Sequence, residues 1–186
     1  MSLARYKTID LTIFAAIVTA LEIIACLALN FSPGEIFSFS STLAVTLIVF
    51  VRWGCWGLIH SVLGGLAYTL INKTDFKTIA IYCIGNLGIA LALLVLKRFP
   101  HDRIRQSLDI RILYCAAGFL GMCIARTVMA FLLEGAIPLF DYFLRYISAD
   151  ALNGVITVIV ISIAAKQDGV LEDQLCYLHR ISEEEG

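Results

Sequence analysis

Six apolar stretches punctuate the chain, near residues 11–30, 37–52, 55–72, 76–96, 111–134 and 146–166, separated by short charged or turn-forming segments. A helix rises about 1.5 Å per residue, so about 20 apolar residues cross roughly 30 Å of hydrocarbon, and the six stretches come near that figure. The second is short and abuts Arg52, Trp53 and Gly54. The pattern predicts an all-α membrane protein, a six-transmembrane-helix bundle over residues 1–167, followed by a tail at 168–186. In that tail Val170, Leu171, Leu175, Leu178 and Ile181 recur at three- and four-residue spacing, which describes an amphipathic helix lying on a membrane surface or a partner. Residues 1–10 have the look of a signal-peptide n-region. The apolar run after them is too long for an h-region and lacks a clear cleavage site, so it reads as a retained helix.

Composition supports the pattern. A chain of 186 residues that is 60% hydrophobic, with a mean hydropathy of +0.87, carries more apolar surface than a soluble domain of this size buries. The placement of charge sets orientation. Arg5, Lys7, Arg52, Lys97, Arg98, Arg103, Arg105, Arg111 and Lys166 fall on one side of the expected spans, against Lys73, Lys77 and Arg145 on the other. That excess places both termini in the cytoplasm. The net charge of -1 gives no nucleic-acid footprint. The six cysteines form no CxxC pair, and neither a disulfide framework nor a metal site is suggested.

Polar residues inside the spans carry the candidate chemistry, because a charge in hydrocarbon costs several kcal/mol unless it faces the protein interior or a wet cavity. Glu22, Asn86, Arg126, Asp150 and Asn153 are the main ones, gathered at or above the midplane toward the outside. Arg126 cannot shed its charge, so it is either ion-paired within the bundle, by Glu134, Glu22 or Asp150, or awaits an anionic ligand. Asp150 and Asn153 share a helix face with Thr157. Asn86 suits either an interhelical hydrogen bond or a ligand, and His60 suits a structural hydrogen bond. Around the outer connections lie Asn30, Phe31, Ser32 and Glu35, and then Pro138, Phe140, Asp141, Tyr142 and Arg145, a set that fits either a small-molecule pocket or an interfacial belt. Small residues at close spacing, Ala16 with Ala20, Gly64 with Gly65, Gly85 with Gly88 and Ala117 with Gly121, mark helix contacts.

The chain has no Walker A, GxSxG or HExxH motif and no internal repeat, so neither an enzyme nor a self-sufficient transporter is expected, and a partner is implied. Ala16 and Ala20 on the first helix look like an AxxxA motif, and Asn153 lies in ALNGV near the outer start of the last. On these features and its six-helix layout, the chain resembles the substrate-binding S components of energy-coupling factor (ECF) vitamin transporters. The resemblance implies a protein of the prokaryotic cytoplasmic membrane that captures a vitamin or related micronutrient without a cofactor. Ala16 and Ala20 would contact an energy-coupling transmembrane subunit driven by two ABC ATPases. Arg126 would then serve a carboxylate or phosphate, Asp150 and Asn153 would read polar edges, and Tyr82, Tyr142 or Phe140 would stack on a ring; Asn86, Glu22 and Glu134 complete the candidate set. The competing expectation is a membrane scaffold of the cell-shape and cell-wall machinery, which needs no outward cavity.

Overall fold

The computed structural model describes residues 3–30 and 39–178. Phe31, Ser32, Glu35 and Ile181, and the side chain of Asn30, lie outside the described set. Every described element is helical: α1 (Leu3–Asn30), α2 (Thr42–Trp53), α3 (Gly57–Ile71), α4 (Phe76–Gly85), α5 (Ala92–Arg98), α6 (His101–Gln106), α7 (Leu108–Leu133) and α8 (Leu139–Ala164). A 3-10 turn at Gly54–Trp56 joins α2 to α3, and another at Asn86–Leu91 runs α4 into α5. Boundaries follow local chemistry. Asp75 caps α4 by accepting from the Thr78 amide, and the bond from the Thr78 hydroxyl, with that amide bond second, lowers its pKa from the usual carboxylate value. Gly135 takes φ +60 just past α7, and Pro100 and Pro138 precede α6 and α8.

Five segments among the described residues are, taken whole, long and apolar enough to cross a bilayer, and the second and third expected stretches fall within a single one. One of them, Thr42–Ile71, is a hairpin. Gly54 takes φ +60, and the chain folds back so that Gly57 lies against Phe50 and Gly64 against Thr42. The arms of 12 and 15 residues reach only about 18 and 22 Å, short of a full crossing. The expected last span also starts earlier, since α8 begins at Leu139 rather than near residue 146.

All twelve residues of α2 are buried. A helix that is apolar all round belongs at the centre of a bundle, and α2 is the axis on which α1, α3, α7 and α8 pack. Leu43, Leu47 and Phe50 join Ile89, Tyr114 and Ile161 in the main core, and the Tyr114 hydroxyl donates to the Leu47 carbonyl at 2.8 Å. Outward, α1, α7 and α8 present residues such as Ile24, Leu132 and Val155.

The two described ends of the chain meet at one end of the bundle. There Arg52 grips both carboxylate oxygens of Asp10, at 2.9 and 2.7 Å, and donates to the Gly169 and Val170 carbonyls. Tyr6 donates to Gln174, and Leu171 is buried in the core, so the segment after α8 seals this end. Of the expected amphipathic set, Val170 and Leu178 are half-buried and Leu175 is exposed.

Glycines allow the closest helix approach. A Cβ on Gly121 would lie 2.1 Å from the Gly88 carbonyl oxygen, and a Cβ on Gly88 would lie 2.1 Å from that of Gly121. Gly121→Ala is therefore expected to destabilise by about 1–3 kcal/mol. Thermal unfolding in detergent checks it against Ala16→Val on the exposed face of α1, which should stay within about 0.5 kcal/mol. An unchanged Tm for Gly121→Ala would contradict the packing described.

Candidate functional site: a buried polar network beneath an open cavity

Four of the polar residues expected inside the spans form one network. Arg126 on α7 donates from Nη1 to Asp150 Oδ2 on α8 at 2.6 Å, and from Nε and Nη2 to Asn86 Oδ1 at 2.9 and 2.6 Å. Asn86 sits where α4 passes into the 3-10 turn, and its amide donates to the Ser61 carbonyl of α3. Asn153, one turn along α8, donates to Asp150 Oδ1 and accepts from the Ser40 amide, both at 2.9 Å. Arg126 and Asp150 are 3% and 4% exposed, so the pair is cut off from solvent and its charges cancel. The small side of Gly85 makes room, since a Cβ there would lie 2.5 Å from Arg126 Cγ.

Glu22 joins the network through Ser40. Its Oε1 accepts from the Ser40, Ser41 and Thr42 hydroxyls and from the Ser41 and Thr42 amides, at 2.7 to 3.1 Å. The last two are amides at the start of α2, where no intrahelical acceptor exists and where the helix dipole favours a negative charge. Glu22 thus caps a neighbouring helix, while its fully buried Oε2 has no hydrogen-bond partner among the described residues. His60 Nε2 lies 2.9 Å from the Leu11 carbonyl, the structural bond expected of it, although Nδ1 has no partner among the described residues.

Above this network the tyrosines take over. The Arg126 guanidinium lies 4.4 Å from the Tyr82 ring centroid, and Tyr82 stacks on Tyr68 at 4.9 Å. These two rings line a cavity of about 10 Å³ next to Ser40, Thr42, Asn86, Arg126 and Asp150, room for a single water. The same rings wall a second, open cavity of about 510 Å³ at the end of the bundle away from the termini. Its other lining includes Thr78, Glu134, Arg145, Tyr146 and Ser148.

The remaining candidates lie elsewhere. Tyr142 is buried against Ile81 and Ala130, where its hydroxyl donates to Glu134 at 3.0 Å and accepts from the Ala136 amide. It braces the α7–α8 corner and orients Glu134 toward the cavity. Phe140 is exposed on the outer face of α8. Ala16 and Ala20 are exposed on α1 among the described residues. Tyr68, Tyr146, Thr78 and Ser40 were not singled out in the sequence. Tyr146 follows Tyr142 at one helical repeat, and Ser40 opens a hydroxyl run before an apolar helix; each was a legible signal. Tyr68 carried none, because its value lies in a ring contact across two helices.

A scan of family models, a search of curated proteins and a search of solved structures each found no match to this chain.

Removing one partner of a buried ion pair strands the other charge. Arg126→Met should therefore cost about 3–5 kcal/mol, whereas Arg126→Met with Asp150→Leu should recover much of that loss. A double-mutant cycle on unfolding in detergent reads the coupling directly; additive losses would mean that the pair is not a unit.

Proposed function

We propose that this protein is the substrate-capturing membrane subunit of an energy-coupling factor type importer for a vitamin or related micronutrient. The observation that carries the reading is the cavity of about 510 Å³, walled by three tyrosines and flanked by Glu134 and Arg145. Ligand sites are concave, largely apolar or aromatic, of about 300–1,000 Å³, with a few polar groups to fix orientation. The basic residues Arg5, Lys7, Arg52, Lys97 and Arg98 cluster toward the opposite end, which argues for cytoplasmic termini and a cavity open to the outside. Ala16 and Ala20 leave a small-residue face on α1 free for the close approach of a coupling helix, with two ABC ATPases supplying the energy. In this reading the tyrosines take the ligand's ring, and Arg126 acts from beneath Tyr82 rather than as a bare cation.

The neutralised Arg126–Asp150 pair favours a second reading, a membrane scaffold of the cell-wall machinery, since a scaffold leaves no charge waiting for a ligand. Native mass spectrometry of protein purified from its own host separates the two. The importer reading expects a stoichiometric small molecule that is lost in Tyr82→Ala and Tyr146→Ala. It also expects co-purifying ATPases and a coupling subunit, lost in Ala16→Trp with ligand retained. A protein without small molecule that carries cell-wall synthesis partners instead would overturn it.

A further inference from the structure

The charges around the open cavity narrow its ligand. Arg126 contributes no net charge, because Asp150 cancels it at 2.6 Å. What remains is Glu134 at the end of α7 and Arg145 on α8, both lining the cavity and both exposed. They lie on the same cavity yet form no ion pair with each other. Arg145 has no hydrogen-bond or ion-pair partner among the described residues. Glu134 is held by a single bond from Tyr142, which leaves its other oxygen for a further donor.

We infer that the ligand is an aromatic zwitterion, a planar ring bearing both a protonated amine and a carboxylate or other anionic group. The inference rests on the capture reading above and deepens it. Two opposite charges that line one cavity without pairing present a dipole to whatever enters it. A ligand with only an anionic group gains at Arg145 and loses at Glu134; one with only an amine does the reverse. A zwitterion gains at both ends, with the guanidinium receiving its anion in a two-pronged bond and the carboxylate receiving its ammonium. Tyr68, Tyr82 and Tyr146 supply aromatic surface for the ring, and Ser148 supplies a hydroxyl for a remaining polar edge.

Three probes sharing one ring test the class: L-tryptophan with both charges, tryptamine with the amine alone and indole-3-propionate with the carboxylate alone. Their affinities for the detergent-solubilised full chain would be read from ligand-dependent shifts in Tm. L-tryptophan should bind about tenfold or more tightly than either of the others, the discrimination expected of one charge-assisted hydrogen bond. Arg145→Gln should erase its advantage over tryptamine, and Glu134→Gln its advantage over indole-3-propionate. Three probes binding alike, a singly charged probe binding best, or no binding by any of them would overturn the inference. The capture reading fails separately, when the host-purified protein carries no small molecule; a co-purified ligand lacking an amine or an anionic group leaves that reading intact and overturns this one.

Discussion

A guanidinium that cannot release its proton, placed inside an apolar bundle, fixes the architecture around it. Arg126 needs a carboxylate and further acceptors within hydrogen-bond reach, since an unpaired charge there would cost several kcal/mol. Asp150 supplies the counter-charge and Asn86 the second acceptor. Because these three stand on α7, on α8 and after α4, satisfying one side chain dictates how three elements meet. The glycines follow from the same demand: Gly85 clears space for the Arg126 stem, and the contact of Gly88 with Gly121 brings the two backbones close enough for the bonds to form.

The second constraint is a short helix that starts inside the bundle. At 12 residues α2 rises about 18 Å, so at least one of its ends lies where water cannot satisfy the backbone. Glu22 does so at the first turn by taking the Ser41 and Thr42 amides, and Asp10 holds Arg52 at the last. Both carboxylates stand on α1. Their separation of twelve residues along α1 equals the length of the helix they brace, so α1 clasps α2 at both ends.

Much of this was legible in the sequence and some was not, for identifiable reasons. Helix content and apolar spans follow from hydropathy, and the polar residues that meet in the core stood out because charges in such spans are rare. The reversal at Gly54 was legible too, because the second and third apolar stretches part at Arg52, Trp53 and Gly54, and the glycine takes φ +60 there. The partner of Arg126 could not be chosen from spacing, since Glu134, Glu22 and Asp150 all remained within reach; the packing of α7 on α8 selected Asp150. The cavity depends on Tyr68 and Tyr146, whose placement arises from contacts between elements far apart in the chain.

These constraints bear on how a partner on α1 would reach the cavity. Ala16 and Ala20 lie between Asp10 and Glu22, the two points at which α1 is pinned to α2, so a helix pressed on that face bears on a stiff strut rather than on a free helix. From Glu22 the hydrogen bonds run through Ser40 to Asn153 and Asp150, then to Arg126, whose guanidinium rests on the Tyr82 ring that walls the cavity. Every step is a direct contact, and the one non-helical link is Ser40, in the segment that leads into α2. Contiguity makes such a route available, but coupling is a free energy: the measure of this one is whether ligand binding and partner binding change each other's affinity by the same factor, and whether cutting the chain at Ser40 removes that factor while leaving each site able to bind alone.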